Sequence, residues 1–193
     1  SGASCVLSGC EPAPRPYAGR MSDLRTAVRR TADAAQDLLD GLTAALADKG
    51  WTVATAESLT GGTIASVLTA GPGASDWFRG SVVAYDAEVK FGLLGVPRGP
   101  VVTEECAATM AREAGRLLGA DLCVAVTGVG GPEPDEGEAP GTVWFALSTP
   151  LGVWTEKLVF DGDPVDVLTR TTQHAIALLH KVALGDEGVL REA

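Results

Sequence analysis

The chain has 193 residues, 46% of them hydrophobic and 21% charged, and its 15 basic and 25 acidic side chains leave a formal charge of −10. That length suits one packed domain better than two. The acidic balance argues against a nucleic-acid polymer as partner, which needs a basic surface, and no apolar run reaches the roughly 18 residues of a membrane span.

Residues 1–21 are rich in small residues and Pro and show no apolar period. They read as a disordered tail or an upstream extension, without the apolar centre of a secretory signal. Ser22 can cap a long helix from Asp23 to Lys49, in which Val28, Ala32, Ala35, Leu38, Leu39, Leu42 and Leu46 recur at helical spacing before Gly50. Trp51 to Ala56 reads as a strand, Gly61 to Ala70 as a helix, Gly80 to Tyr85 as a strand and Ala87 to Leu94 as a short helix. Thr103 is a natural N-cap for a helix to about Leu118, with Glu104 and Glu105 in its first turn. Leu122 to Val126 is an apolar run suited to a strand buried on both faces. A Gly-, Pro- and acid-rich loop follows to Pro140. Thr142–Ser148 and Val153–Phe160 then read as a hairpin, and Asp163-Pro164 opens a last helix to about Ala183.

This order predicts a three-layer α/β/α sandwich with a mixed, mostly parallel central sheet. Residues 22–185 form one domain, and 186–193 a C-terminal tail. Cys106 and Cys123 read as buried thiols. His174 and His180 fall six residues apart on one helix and point in different directions, so no metal site is expected. The cysteine usage points to a cytoplasmic protein.

Three loops could carry chemistry. In Thr55-Ala56-Glu57-Ser58-Leu59-Thr60-Gly61-Gly62 a strand gives way to a helix. Ser58 and Thr60 can cap that helix, its N–H groups can hold a phosphate, or Ser58 can act as a nucleophile whose oxyanion those N–H groups stabilise. Gly61 and Gly62 permit close approach of a ligand. In the second loop Tyr85 ends a strand and Lys90 follows five residues on. Lys90 is either a solvated helix lysine or, if buried, a base with a lowered pKa; Tyr85 is otherwise a half-buried strand tyrosine. The third loop, Thr127-Gly128-Val129-Gly130-Gly131-Pro132, also follows a strand, where ligands of open α/β sheets bind. It is either a turn or one wall of a cleft shared with the other two.

Seven stretches in order, 56–62, 72–78, 83–90, 94–96, 103–105, 120–132 and 141–144, resemble the CinA C-terminal domain family. Its characterised members are nicotinamide-nucleotide amidohydrolases. The resemblance implies hydrolysis of the carboxamide of nicotinamide mononucleotide to nicotinate mononucleotide and ammonia, without metal or cofactor. Carried over by position, Ser58 is the nucleophile, Lys90 its base and Tyr85 a helper in the proton relay. Glu57 either orients the lysine or is another helix-capping acid. The N–H groups after Ser58, together with Thr127, Gly128, Gly130 and Gly131, are candidates for oxyanion and phosphate contacts.

The chain departs from the family in two places. Glu133-Pro134-Asp135-Glu136-Gly137-Glu138 replaces a Gly/Ser-rich loop, and its four acids would repel an anionic nucleotide unless they point away. Gly162-Asp163-Pro164 stands for the family's Gly-Asp-Arg. Arg170 is the nearest candidate for a site arginine in the last helix, although Leu168 stands at the equivalent place. The family and the long first helix imply a homodimer. The molybdopterin-binding-like domain of some members is not expected, nor is the pyrophosphatase activity associated with it. Alternatives are a Ser–Lys amidohydrolase for another amide and a non-catalytic nucleotide-binding protein.

Overall fold

A computed structural model describes residues 26, 29, 31 and 33–186 of the chain. The expected tail 1–21, residues 187–193 of the expected tail 186–193, the Ser22 cap, and Val28 and Ala32 of the first helix lie outside the described residues. The elements in order are α1 (Gln36–Lys49), β1 (Val53–Glu57), α2 (Thr63–Leu68), α3 (Ala74–Trp77), β2 (Phe78–Val83), α4 (Ala87–Leu94), α5 (Glu104–Leu118), β3 (Leu122–Gly128), β4 (Thr142–Thr149), β5 (Gly152–Val159) and α6 (Pro164–Leu184).

The strands form one sheet in the order β2-β1-β3-β4-β5. β1 pairs in parallel with β2 and β3, β4 is antiparallel to β3, and β5 is antiparallel to β4. Four strands therefore point one way and β4 alone points back. This is the expected mixed sheet, including the β4–β5 hairpin.

Alternation along the strands sorts the core into two layers. Leu122, Val124 and Val126 of β3 join Val143, Phe145 and Leu147 of β4 in packing against α1, α2 and α6. The opposite face carries Ala54, Ala56, Cys123, Ala125 and Ala146, and packs against α5 through Ala107, Met110, Ala111 and Ala114. Small side chains on both partners let α5 lie close. A Cβ on Gly115 would come 3.2 Å from that of Cys123. Both body cysteines are buried, as expected, and burial pushes their thiols up to about 11 for Cys106 and about 12 for Cys123.

Helix boundaries follow their caps. Thr103 Oγ1 accepts from the Cys106 N–H at 3.2 Å. Asp86 caps α4 by accepting from Glu88 N–H at 2.7 Å. Asp163 accepts from Val165 and Asp166 N–H, and the Asp166 carboxylate accepts from Asp163 N–H, a reciprocal box with Pro164 at the first helical position.

Three expectations need correction. The helix expected from Gly61 begins at Thr63, because Gly61 and Gly62 take φ of 57° and 96° and turn the chain first. The second strand ends at Val83, so Tyr85 lies beyond it. The short α3 was not anticipated; its four residues, introduced by left-handed Gly73, are too few for a period to show.

Asp163→Ala should cost about 1 kcal/mol by removing both accepted hydrogen bonds. Urea unfolding of the variant should show a lower midpoint with an unchanged slope.

Candidate active site

The carboxyl ends of the three parallel strands lie level, since Glu57 pairs with Val83 on one side and Val126 on the other. The ladder continues one step further. Ala84 N–H donates to the Glu57 carbonyl at 2.8 Å, and Ser58 N–H donates to the Val126 carbonyl at 3.2 Å. The Ser58, Ala84–Tyr85 and Thr127 segments thus leave the sheet side by side. β4 begins and β5 ends on the same edge, where Gly128 faces Val143 and Thr142 faces Val159.

Glu57 is fully buried at the centre of that edge. Its carboxylate accepts six hydrogen bonds: from the hydroxyls of Thr55, Thr60 and Ser81, and from the N–H groups of Gly62, Ile64 and Ala65, at 2.8–3.3 Å. The Glu57 side chain therefore caps α2, supplying acceptors to the otherwise unpaired amides of the helix start. Glu57 and Thr60 bind the loop rather than face a ligand, and Glu57 makes no contact that orients Lys90. The amides of Gly62, Ile64 and Ala65 are likewise taken. The helix start imagined as an anion site is filled by the protein's own carboxylate.

That frees Ser58. It does not cap the helix, and its hydroxyl makes no hydrogen bond among the described residues. No buried side-chain oxygen or nitrogen among those residues lacks a partner, so this hydroxyl is open to a ligand. Lys90 is only 2% exposed, which rules out a solvated helix lysine. Its Nζ donates to the Tyr85 carbonyl at 3.3 Å, bringing the amine to the end of β2. No carboxylate among the described residues forms an ion pair with it. Burial lowers its pKa, against smaller opposing effects from Cys106, Asp86 and Glu136. Ser58 and Lys90 are not hydrogen-bonded to each other. Tyr85 serves Lys90 through its carbonyl, while its ring is 73% exposed rather than half-buried in a strand.

The third loop faces the first, with an ideal Cβ at Gly130 lying 4.0 Å from that of Leu59. Thr127 is buried and donates to the Val101 carbonyl at 2.8 Å. Gly128 is required by packing, because a Cβ there would strike the Thr142 carbonyl and approach Val143 Cα at 2.8 Å. The amides of Leu59, Thr60, Gly130 and Gly131 donate no hydrogen bond among the described residues. They are among the free donors of this edge.

The acidic loop is more ordered than its composition suggests. Asp135 and Glu138 exchange backbone hydrogen bonds around Glu136 and Gly137, both with positive φ (49° and 83°). Glu136 accepts from the N–H groups of Val101 and Val102 at 2.7 and 2.8 Å. Glu138 pairs with Lys157 at 2.8 Å. Two of the four acids are thus occupied. The role of Glu136 was not read from the sequence, although Glu-Gly between acids is a two-residue turn signal. Arg170 is exposed on α6, the helix that starts from this edge, and forms no ion pair with the described residues. Those residues contain no cluster that could hold a metal ion.

The two buried charges predict stability changes of opposite sign. Glu57→Ala strands several buried donors and should cost roughly 3 kcal/mol or more. Lys90→Met removes an amine whose charged form the fold disfavours, and should gain about 1 kcal/mol near neutral pH. Thermal unfolding of both variants beside the parent checks the signs.

The sequence profile of the CinA C-terminal domain matches residues 35–183. A CinA-like protein of Geobacter metallireducens is 42% identical over 140 residues, which cover 69% of this chain and 34% of that protein. A CinA-like protein of Frankia casuarinae is 38% identical over 157 residues, 78% of this chain and 36% of that protein. The chain spans about a third of the length of these curated relatives. The crystal structure of a competence-damaged protein (CinA) superfamily protein from Klebsiella pneumoniae superposes with a TM-score of 0.74 at 32% identity, covering 78% of this chain and 98% of that one. With the family profile matched over most of its length and the fold shared with a CinA superfamily structure, the chain belongs to the CinA C-terminal domain family.

Proposed function

We propose that this domain is an amidohydrolase that deamidates nicotinamide mononucleotide, with Ser58 as nucleophile and Lys90 as base. The observation that carries the reading is a buried lysine of lowered pKa, paired with no carboxylate, on the edge that also bears an unengaged serine hydroxyl. Burial that lowers the lysine's pKa favours the neutral form, which is the form that accepts the serine proton.

The steps follow from that pair. Substrate binding brings Ser58 Oγ onto the carboxamide carbon as its proton passes to Lys90 Nζ. The tetrahedral oxygen takes up negative charge, and the free amides of Leu59, Thr60, Gly130 and Gly131 are the available donors. Collapse expels ammonia, which receives the proton from Lys90, and leaves an acyl-serine. Water, deprotonated by the same lysine, hydrolyses that ester to nicotinate mononucleotide. The Tyr85 phenol enters a proton relay only if substrate draws its exposed ring inward. No metal or cofactor takes part in this scheme. A homodimer in the cytoplasm remains part of the proposal. Among the described residues no helix is long and apolar enough to cross a membrane.

A second reading is a Ser–Lys hydrolase for another amide. It is favoured by the commitment of Lys157 to Glu138 and the exposure of Arg170 on α6, which leave no arginine among the described residues hydrogen-bonded into this edge.

Ammonia release from nicotinamide mononucleotide should be robust in the parent. In Ser58→Ala and Lys90→Ala it should fall by about a hundredfold or more. The parent's kcat should decline as pH drops through the Lys90 pKa, since protonation removes the base. No release from the nucleotide, with release from another nicotinamide-type amide, would select the second reading. A kcat flat down to about pH 5 would exclude a lysine base.

A further inference from the structure

The hairpin at Asp135–Glu138 reaches across to the helix that walls in Lys90. Glu136 is the only non-glycine residue with positive φ among the described residues. That backbone state is disfavoured for a side chain of this kind, so the loop needs anchors to hold it. The anchors are the two amides at Val101 and Val102, immediately before α5. The Val101 carbonyl in turn accepts from Thr127. Val101 packs against the apolar layer that contains Leu94 of α4, the helix that carries Lys90, and Cys106 of α5, and Val102 beside it is buried.

Resting on the amidohydrolase reading, we propose that Glu136 is a positioning residue for Lys90: it locks the Val101–Val102 segment against the α4–α5 layer and presents a negative charge to the buried ammonium. The groups facing that ammonium are the Tyr85 carbonyl and Asp86 at the start of α4, the Cys106 thiol on α5, and Glu136 from the hairpin. Asp86 is committed to capping α4. Cys106 is held in its neutral thiol form by burial. Glu136 is the one carboxylate of the set contributed by another part of the chain. Its charge opposes the effect of burial, which lowers the Lys90 pKa.

Glu136→Gln keeps an oxygen that can accept from Val101 and Val102 but removes the charge. Glu136→Ala removes both. The full chain labelled with 13C at lysine Cε, its Lys90 signal assigned with Lys90→Arg, reports the titration of Lys90 without any substrate. In Glu136→Gln the Lys90 midpoint should fall by roughly half a pH unit or more, and the acidic limb of kcat should move down with it. Its plateau kcat should stay within about twofold of the parent, whereas Glu136→Ala should lose about fivefold. Glu138→Gln, which removes the neighbouring acid paired with Lys157, should leave the Lys90 midpoint in place. An unchanged midpoint in Glu136→Gln, or an equal shift in Glu138→Gln, overturns the charge coupling. Equal plateaus in the Gln and Ala variants overturn the positioning role. If the parent releases no ammonia from any nicotinamide-type amide, the functional reading fails while the titration still decides the Glu136–Lys90 link.

Discussion

Everything at the working edge of this domain is arranged around one buried carboxylate. Glu57 ends the central parallel strand and draws the Thr60 hydroxyl and the amides of Gly62, Ile64 and Ala65 onto itself. A carboxylate can be kept in an apolar interior only if its oxygens are well supplied with hydrogen bonds, and six donors meet that demand. The supply has a geometric result. The loop has to bend through two left-handed glycines to deliver its amides, and that bend sets Ser58 at the strand end with its hydroxyl left over. The serine hydroxyl is left unpaired among the described residues because its neighbour has taken over the capping that a serine in this setting usually performs.

Lys90 presents the opposite electrostatic situation. Its amine is buried with one carbonyl and no ion pair, an arrangement that weakens the fold in order to hold a low-pKa amine. The two charges are solved differently: one is saturated, and the other is left short of partners. That contrast separates the scaffold group from the reactive group more sharply than residue type does, since both positions are ionisable and both are buried.

Much of the fold was legible because its signals are local. Gly50, Thr103, Asp163 and Pro164 mark helix ends through backbone chemistry that needs no tertiary partner. Alternation in β3 and β4 shows which residues share a face. The site was legible in outline through the three strand-end loops. Their internal wiring was not. Glu57 and Ser58 are adjacent, and nothing in their order tells which one caps α2; the answer depends on Ser81 from the neighbouring strand and on the turn at Gly61 and Gly62. The acids of the third loop were counted as repulsive because composition carries charge but not direction. Glu136 is directed at amides 34 and 35 residues away, and Glu138 at a lysine two strands on.

The four unoccupied amides at Leu59, Thr60, Gly130 and Gly131 are dipoles, not charges, and they sit in a chain with ten excess negative charges. A phosphate-bearing ligand such as the proposed substrate would be attracted at contact distance by neutral donors and repelled at long range by the molecule as a whole. Added salt screens the long-range part and leaves the contact part largely intact. Under the proposed function, anion affinity here would rise with ionic strength over the range where sites lined by lysine and arginine lose theirs. Association should be slow in dilute buffer for the same reason, and the domain is suited to a crowded ionic medium in which its own field is short.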